Sequence, residues 1–405
     1  MSVLNDKHIL LGVTGSIAAY KAADLASKLT QAGAQVDVIL TSGALKFVTS
    51  LTFQSVTGRK AFTDAELWGG DAHVLHVGLG HQADLLVIAP CTANTLAKLA
   101  GGLADTLLTV TALAAECPLL VAPAMDGGMY RAAATQANVR TLKERGVIFA
   151  GPAQGHLASG QTGEGRMLEP AEILGQARLA LARCGGSLTG RRIVVSAGGT
   201  QEPIDPVRYL TNRSSGKQGY AVAQAALDAG AQVTLVTHPT SLVPPVGAEV
   251  LEVRTAQDML DAVLKACESA DALVMAAAVA DFRAKQVAPH KLKKRDGIPQ
   301  IELEAAPDVL VAVAQARPQL ERLKVVVGFA AESRDLVDNA AAKLASKKLD
   351  FIAANDISAT DAGFAVDTNR ITLLYADGRR EGLPLLNKDK VAEAIVERMA
   401  AFLEK

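Results

Sequence analysis

Short apolar runs alternate with amphipathic stretches through the first half of the chain. Residues 8–13 are apolar, 16–32 carry apolar residues at helical spacing, and 35–41 are apolar again. This spacing predicts a strand, a helix and a strand. The pattern continues with strands predicted over 84–89, 118–122 and 147–150 and a helix predicted over 130–145. Parallel βαβ units are therefore expected.

A glycine-rich segment at 183–191 separates this half from a second half with the same pattern. We place a domain boundary there, which gives predicted domains 1–188 and 189–405. The second half predicts strands over 192–197, 232–237, 272–277, 324–329 and 350–353, helices over 216–229, 256–269 and 335–347, a β-hairpin over 370–386 and a final helix from Lys388. The predicted fold class is α/β, with two doubly wound Rossmann-like domains.

The composition fits two large cores and narrows the range of partners. The 405 residues are 49% hydrophobic and 20% charged, which indicates a folded chain. Lys and Arg number 41 against 42 Asp and Glu, so neither nucleic acid nor an anionic membrane is an expected partner. No apolar run reaches membrane-spanning length and no leader pattern is present, so we expect a cytoplasmic protein. The four cysteines are far apart in sequence and are expected to be reduced.

The turn after the first predicted strand, 12–21, consists largely of small residues and leads into a helix. Its backbone N–H groups could face a phosphate, although a tight turn needed for helix–sheet packing has the same composition. The G-x-G spacing of a dinucleotide site is absent, and the second strand ends in Thr41 and Ser42 without an acidic residue. A mononucleotide such as FMN is therefore favoured over NAD.

Polar side chains also flank the next predicted strand. Thr92 and Asn94 follow it, at the edge where open α/β sheets bind ligands, but both residue types also cap helices. His73, His76 and His81 precede it without a carboxylate or cysteine at ligand spacing. Solvated loop histidines are therefore favoured over metal ligands, and a single proton-transfer histidine is the third interpretation.

Polar loops in the second half indicate a second ligand site. A small-residue turn lies at 197–200, and 205–212 is too polar for a core, which fits either ligand contact or loop stabilisation. The basic tract 291–295 suits a triphosphate, although charge runs are usually solvated. Lys343 and Lys347 share one helix face, where a bound phosphate would offset their repulsion.

Several of these segments resemble known families. Those in the first half are similar to the flavin-dependent cysteine decarboxylases of coenzyme A synthesis, and those in the second half to the phosphopantothenate–cysteine ligases. The matching segments are 76–80, 83–85, 90–94, 123–130, 198–208 and 212–217. In this order they resemble the bacterial bifunctional phosphopantothenoylcysteine decarboxylase/phosphopantothenate–cysteine ligases. The resemblance implies a flavodoxin-like first domain and a ligase-type second domain with a C-terminal β-hairpin.

For the first domain, the resemblance implies that FMN takes a hydride equivalent from the substrate's cysteinyl side chain, giving a thioaldehyde that loses carbon dioxide. The hydride returns as the ene-thiol is protonated, which yields 4′-phosphopantetheine. His76 matches the family's essential histidine and would transfer a proton. FMN-binding residues are expected at Gly15, Ser16, Thr41, Pro90, Thr92, Asn94 and Met125.

Two residues depart from the family's pattern. Asp126 stands where an asparagine often binds the substrate carboxylate, so we expect Asp126 to be protonated on substrate binding or turned away. Ser159 stands where a cysteine often donates a proton, and a serine hydroxyl is a far poorer acid than a thiol. Either water or another group protonates the ene-thiolate, or Ser159 relays a proton.

For the second domain, the resemblance implies that 4′-phosphopantothenate attacks CTP, with Mg²⁺ and lysines offsetting charge on the leaving pyrophosphate. Cysteine then attacks the acyl-cytidylate. Asn212 would contact this intermediate and Lys291 the phosphates, and the metal ligands are not assigned. The other implied substrate-contacting residues are Arg208, Asp281, Asp308, Phe329, Lys343 and Lys347, with Asn355 and Asp356 near the nucleotide.

The resemblance also implies a homo-oligomer, in which decarboxylase trimers and ligase dimers could assemble into a dodecamer. Two other classes of protein fit less well. A flavin-binding regulatory protein without turnover would keep the first pocket, but His76 and the ligase motifs are retained. An NAD(P) oxidoreductase would need the dinucleotide fingerprint that is missing.

Overall fold

The computed structural model describes residues 2–68, 74–294, 297–332, 334–356 and 368–404. The chain divides into two compact units, Ser2–Cys184 and Gly185–Lys405. His73 and Arg295 lie outside the described residues.

The N-terminal unit contains a parallel six-stranded sheet with helices on both faces. Its strands are β1 (His8–Val13), β2 (Gln35–Leu40), β3 (Ala61–Thr63), β4 (Leu85–Cys91), β5 (Leu119–Pro123) and β6 (Ile148–Phe149). Its helices are α1 (Ala19–Gln31), α2 (Ser50–Thr57), α3 (Leu75–Gln82), α4 (Ala93–Gly101), α5 (Leu107–Ala114), α6 (Gly127–Arg131), α7 (Ala133–Glu144) and α8 (Pro170–Ala182). The spatial order of the strands is β3-β2-β1-β4-β5-β6. An antiparallel hairpin, β7 (Ala153–His156) and β8 (Thr162–Arg166), lies outside this sheet.

Burial on both faces explains why the central strands are continuous apolar runs. All seven residues of β4 are buried. One face of the sheet packs against α1, α2 and α8, through Leu25, Phe53 and Ile173. The other face packs against α4, α5 and α7, through Leu96, Leu108 and other apolar residues. The crossovers therefore leave the sheet in both directions, as a doubly wound fold requires.

The C-terminal unit is built around a larger, mixed sheet. Its strands are β9 (Arg192–Ala197), β10 (Gln201–Pro203), β11 (Tyr209–Thr211), β12 (Gln232–Thr237), β13 (Glu249–Glu252), β14 (Ala272–Met275), β15 (Phe282–Ala284), β16 (Leu303–Ala305), β17 (Val325–Glu332), β18 (Phe351–Asp356), β19 (Thr368–Asn369), β20 (Ile371–Tyr375), β21 (Arg380–Gly382) and β22 (Leu386–Asn387). Its helices are α9 (Lys217–Asp228), α10 (Ala256–Cys267), α11 (Val309–Ala316), α12 (Leu336–Ser346) and α13 (Lys388–Leu403). The main sheet has the order β13-β12-β9-β14-β17-β18-β20-β21, and β10–β11, β15–β16 and β19–β22 form two-stranded sheets.

The predicted α/β class with two doubly wound units is confirmed. The strand predicted over 192–197 has those ends, and the predicted C-terminal hairpin is β20–β21, which pairs antiparallel. The single helix predicted over 130–145 is wrong, because Ala132 adopts an extended conformation and separates α6 from α7. Among the described residues, none of the helices has both the length and the apolar character of a membrane span.

The histidine segment is helical, not a loop. His76 and His81 lie on α3, whose sequence has too many glycines for a clear apolar period. Tight packing supports this helix, because a Cβ on Gly80 would lie only 3.2 Å from the backbone nitrogen of Ala115, just after α5.

Close packing of α9 on β9 gives a first prediction. A Cβ on Gly219 would lie 2.6 Å from the Ala197 Cβ and 2.9 Å from the Ser196 carbonyl oxygen. We expect Gly219→Ala to lower the free energy of unfolding of the C-terminal unit by about 1–3 kcal/mol, the usual range for overpacking. Pulse proteolysis in urea, followed on fragments of residues 185–404, measures this. Gly382→Ala is the control, because nothing lies within 4 Å of its Cβ position; equal unfolding midpoints for the two variants would contradict the prediction.

Candidate active sites

A cavity of about 920 Å³ lies at the carboxyl edge of the N-terminal sheet. The loops after β1, β2, β4 and β5 and the β7–β8 hairpin surround it. Predicted residues that line it are Gly15, Ser16, Thr41, Thr92, Asn94, Met125, Asp126 and Ser159. The topology thus brings together side chains from five separate segments.

Thr14 joins the loops that follow β1 and β4. Its hydroxyl donates to the Pro90 carbonyl oxygen at 2.6 Å and accepts from the Thr92 N–H at 3.2 Å. The Thr92 hydroxyl in turn accepts the Thr95 N–H and caps α4. Pro90, predicted to bind FMN, is buried and does not line the cavity. Its carbonyl fixes the loop instead.

The loops after β1 and β2 approach each other closely at two glycines. A Cβ on Gly15 would lie 3.0 Å from the Gly43 backbone, and a Cβ on Gly43 would lie 3.2 Å from the Gly15 Cα. No side chain caps α1, which begins just beyond Gly15. This wall of the cavity is therefore formed by backbone and small side chains.

The β7–β8 hairpin docks on the loop after β5 through Gly165. The Met125 N–H donates to the Gly165 carbonyl oxygen at 3.0 Å. Gly165 has φ +148°, and a Cβ there would lie 2.3 Å from the Met125 carbonyl oxygen. Only glycine permits this contact, which brings Ser159 over the loop that carries Asp126.

Ser159 and Asp126 contact each other directly. The Ser159 hydroxyl donates to Asp126 Oδ2 at 2.7 Å, and the Gly128 N–H donates to Asp126 Oδ1 at 2.8 Å. The Ser159 hydrogen bond, followed by that from Gly128, lowers the pKa of Asp126 below its ordinary value. Asp126 is therefore a carboxylate at neutral pH in the ligand-free protein.

Cations around this cavity already have protein partners. Lys21, although buried, pairs with Glu169 at 2.8 Å, and Arg166 pairs with the same carboxylate. Lys98 pairs with Asp105 at 2.7 Å. Lys21, Lys98 and Arg166 line the cavity but were not predicted as site residues, because single cations in amphipathic segments give no distinct sequence signal. An anionic ligand would meet these cations as partly neutralised groups.

His76 does not line this cavity in the single chain. Its Nδ1 is buried and has no hydrogen-bond partner among the described residues. The helix α3, which carries His76, packs against α5. The chain by itself therefore does not bring His76 to Ser159 and Asp126.

A second cavity, of about 740 Å³, lies at the carboxyl edge of the C-terminal sheet. The loops after β11 and β14, the start of α11 and residues near the carboxyl ends of β17 and β18 contribute to its walls. Predicted residues that line it are Asn212, Asp281, Asp308, Phe329, Lys343, Lys347 and Asn355. Gln218, Asn369 and Lys388 also line the cavity but were not predicted, because single polar residues in helices and short strands give no distinct sequence signal.

The orientation of the Asn212 amide is fixed by the backbone. Its Nδ2 donates to the carbonyl oxygens of Ala278 at 3.2 Å and Val279 at 3.0 Å. Because both amide protons are used, Oδ1 is the group that Asn212 offers a ligand. Asn212 can therefore accept a hydrogen bond from a hydroxyl or amine, but it does not donate to an oxyanion.

Lys343 and Lys347 lie at the C-terminal end of α12, where the helix dipole stabilises positive charge. Lys343 Nζ donates to the Phe329 carbonyl oxygen at 2.8 Å, and Lys347 Nζ pairs with Asp308 Oδ2 at 2.5 Å. The sequence favoured a bound phosphate as the reason for this pair of lysines. Their position at the helix end and their protein partners explain both lysines without a phosphate. Both lysines nevertheless line the cavity.

A chain of amides closes another side of this cavity. Gln218 donates to the Lys388 carbonyl oxygen and accepts from Asn369, which accepts from Asn355 Nδ2. Because the Lys388 carbonyl can only accept, this order fixes which end of each side-chain amide donates and which accepts. Asn355 Oδ1 is buried without a partner among the described residues. Like Asn212, Asn355 presents an acceptor.

Arg208 and Lys291 do not line this cavity. Asp205, whose side chain is fully buried, pairs with the Arg208 guanidinium and accepts the Leu292 N–H at 3.1 Å. Arg208 also donates to the Leu292 carbonyl oxygen at 2.7 Å. The pKa of Asp205 is held well below its ordinary value, chiefly by the Arg208 hydrogen bonds. This pair therefore fixes the segment that carries Lys291, which is exposed.

Comparison with known proteins assigns a separate family model to each of the two α/β units. Residues 2–178 match the family model Flavoprotein, and residues 188–403 match DNA/pantothenate metabolism flavoprotein C-terminal domain. The Coenzyme A biosynthesis bifunctional protein CoaBC of Bacillus subtilis is 43% identical over 99% of this chain and 98% of its own. That of Mycobacterium bovis is 47% identical over 98% of this chain and 97% of its own. A crystal structure of the C-terminal domain of a CoaBC protein is 39% identical, covers 54% of this chain and 99% of that chain, and has a TM-score of 0.47.

The fold and the family matches define a flavoprotein unit joined to a ligase-type unit, which is the class of bifunctional enzymes with decarboxylase and ligase activities. The chain belongs to the family of the coenzyme A biosynthesis bifunctional proteins CoaBC. The resemblance inferred from the sequence is confirmed.

Docking of the β7–β8 hairpin gives a second prediction. Gly165→Ala would place its Cβ against the Met125 carbonyl, so we expect the hairpin to separate from the β5 loop. Strain of about 1–3 kcal/mol corresponds to roughly 5- to 150-fold faster amide exchange at Met125. Hydrogen exchange read by mass spectrometry measures this. Gly163→Ala, on the same hairpin but with only ordinary contacts at 3.8 Å and beyond, is the control; unchanged Met125 exchange in Gly165→Ala would rule out the docking contact.

Proposed function

We propose that residues 1–188 form the FMN-dependent phosphopantothenoylcysteine decarboxylase domain and residues 189–405 the CTP-dependent phosphopantothenate–cysteine ligase domain. The observation that carries this proposal is a separate cavity at the carboxyl edge of each sheet, in a chain of this family. Open α/β sheets bind mononucleotides at this edge.

The first cavity fits FMN. Its volume is typical of a cofactor pocket. The uncapped start of α1 and the hydroxyls of Ser16, Thr41 and Thr92 suit a phosphate, and Gly15 leaves room for close approach. Asn94 and Met125 would contact the rest of the cofactor. Bound FMN would supply the oxidising and reducing equivalents that decarboxylation needs.

We assign Asp126 to the end of the first cavity that receives the substrate carboxylate, and Ser159 to the hairpin that covers it. Both residues line the cavity and touch each other. His76 would act in the cavity of a neighbouring copy, since it lies outside the cavity of its own chain.

A homo-oligomer follows from this placement of His76. Apolar side chains exposed on the N-terminal unit include Tyr20, Phe47, Trp68 and Leu113, and those on the C-terminal unit include Tyr209, Phe282 and Leu303. Such residues are candidates for subunit contacts. The assembly proposed here is the one that the family resemblance implies, of trimers through the first unit and dimers through the second.

In the second cavity, CTP would be bound with Mg²⁺, which the triphosphate itself largely ligates. Asp281, Asp308 and Phe329 would contact the nucleotide, with Lys343 and Lys347 as cations of the same cavity. Asn212 Oδ1 would accept a hydrogen bond from a hydroxyl or amine of the reactants, consistent with its fixed amide. Lys291 would reach the phosphates from the exposed segment that Arg208 and Asp205 hold.

The test is incubation of the purified full chain with 4′-phosphopantothenate, cysteine, CTP and Mg²⁺, following pyrophosphate, carbon dioxide and 4′-phosphopantetheine together. We expect yellow protein, pyrophosphate release that requires phosphopantothenate, and carbon dioxide release that requires FMN. Replacing CTP with ATP tests the nucleotide. Colourless protein that does not bind FMN would refute the first half, and no pyrophosphate would refute the second.

The Asp205–Arg208 pair, which fixes the segment that carries Lys291, gives a third prediction. If Asp205 holds the Lys291 segment, Asp205→Asn should lower kcat/KM for CTP about 10- to 100-fold, as misplacement of a catalytic group does. The double variant with Lys291→Ala should be no worse than Lys291→Ala alone. Pyrophosphate release measures both.

Asp271→Asn is the matched control. Asp271 is also buried and pairs with Arg191 and Arg322, but it lies at the opposite, amino edge of the sheet. It should alter stability while leaving kcat/KM for CTP unchanged. Multiplicative effects of the Asp205 and Lys291 changes would show that Asp205 does not act through this segment.

A further inference from the structure

The two residues of the first cavity that depart from the family's pattern are in contact. Ser159 Oγ lies 2.7 Å from Asp126 Oδ2, although the residues are 33 positions apart in the chain. Both line the cavity. A serine in place of an acidic thiol and a carboxylate in place of an amide therefore form one hydrogen-bonded pair.

Neither residue alone provides the acid that the reaction needs. A serine hydroxyl is too weakly acidic to protonate carbon efficiently at neutral pH. Asp126 is ionised in the ligand-free protein, because the hydrogen bonds from Ser159 and Gly128 lower its pKa. A proton has to reach Asp126 before the pair can act as a donor.

We propose that Asp126 and Ser159 together form the proton donor of the decarboxylation. Asp126 takes up a proton when the substrate carboxylate binds beside it, and returns that proton through the Ser159 hydroxyl after carbon dioxide has left. This inference rests on the proposed function of the first cavity.

The departure of carbon dioxide determines when Asp126 releases its proton. Two carboxylates side by side raise each other's pKa, so substrate binding favours the protonated form of Asp126. Loss of carbon dioxide removes that neighbouring negative charge. The hydrogen bonds that Asp126 makes in the ligand-free protein then favour its ionised form again, which releases the proton when the substrate needs it.

The step balances. Breaking the carbon–carboxylate bond leaves its electron pair in the ene-thiolate. Ser159 gives its hydroxyl proton to the carbon that bore the carboxylate while Asp126 gives its proton to Ser159 Oγ, which regenerates the serine hydroxyl and the aspartate. The protonated product is a thioaldehyde, to whose sulfur-bearing carbon the hydride would return from bound FMN, while the sulfur regains from solvent the proton that the thiol lost in the first step. The next substrate brings Asp126 its next proton from solvent.

Other charged groups around the pair set the starting state. Arg131 of α6 contributes a favourable charge interaction to the Asp126 carboxylate. His156 of β7 and Arg166 of β8 line the same cavity, and Glu164 is two residues before Arg166 on β8. The Arg131 charge and the hydrogen bonds from Ser159 and Gly128 favour ionised Asp126, so the substrate carboxylate must overcome this preference for the charged form.

Binding of an inert analogue provides a readout apart from turnover. 4′-Phosphopantothenoylserine has a hydroxyl in place of the thiol and keeps the carboxylate. We expect its binding to the FMN-loaded full chain to take up protons, and its affinity to weaken as pH rises, by at most about tenfold per pH unit. In Asp126→Asn, neither effect should appear. Titration calorimetry in buffers of different ionisation enthalpy measures the proton uptake.

Turnover of 4′-phosphopantothenoylcysteine separates the chemical steps. In Asp126→Asn and in Ser159→Ala, we expect one carbon dioxide per active site to be released rapidly, with 4′-phosphopantetheine formation slowed by about 100-fold, the usual contribution of a general acid. The double variant Asp126→Asn/Ser159→Ala should be no slower than either single variant. Ser159→Cys/Asp126→Asn, which combines the two residues common in the family, should restore product formation.

Glu164→Gln is the control for removal of a charge from the same hairpin, and we expect it to leave product formation unchanged. If Asp126→Asn kept wild-type rates and wild-type proton uptake, Asp126 and Ser159 would not be the proton donor. The same conclusion would follow if Ser159→Cys/Asp126→Asn formed 4′-phosphopantetheine no faster than Asp126→Asn. Absence of carbon dioxide release by the unaltered protein would instead refute the proposed function of the cavity.

Discussion

The reversal of strand order in each sheet is the constraint on which both candidate sites depend. In the N-terminal unit the chain passes outward from β1 to β2 and β3, and then returns to β4 on the other side of β1. In the C-terminal unit the same reversal occurs between β9 and β14. Successive crossovers cover opposite faces at this point, so the loops separate and leave a crevice. Both cavities occupy such a crevice, and most of their polar residues come from the loops and helices beside it, with Asn355 at the end of β18 as an exception.

Much of this arrangement could be predicted from the sequence because it depends on local patterns. Buried strands give continuous apolar runs, and the polar loops that follow them contain Thr92, Asn94, Asn212 and Asp281, all of which line a cavity. The direction of each hydrogen bond could not be predicted in the same way. The acceptor role of Asn212, for example, depends on two backbone carbonyls 66 and 67 positions further along the chain.

Some residues that sequence motifs placed at the ligands do not line the cavities. For two of them, Pro90 and Arg208, the physical explanation is the same. Pro90 and Arg208 belong to motifs because they hold loops: the Pro90 carbonyl binds Thr14, and Arg208 binds Asp205 and Leu292. A motif marks residues that a site requires, without distinguishing those that touch the ligand from those that hold the loop. His76 differs, because it neither lines the cavity of its own chain nor forms a hydrogen bond through Nδ1 among the described residues.

Docking of the β7–β8 hairpin connects local backbone geometry to the chemistry of the first cavity. Asp126 is fixed as the cap of α6, with one carboxylate oxygen on the Gly128 N–H, so its other oxygen points to a defined place. Gly165 then lets the hairpin approach the Met125 backbone more closely than any other residue would allow. Because of this approach, the Ser159 hydroxyl reaches the remaining oxygen at hydrogen-bond distance. A bulkier residue at 165 would separate the pair without changing either member, so the contact between Ser159 and Asp126 depends on the packing of a glycine.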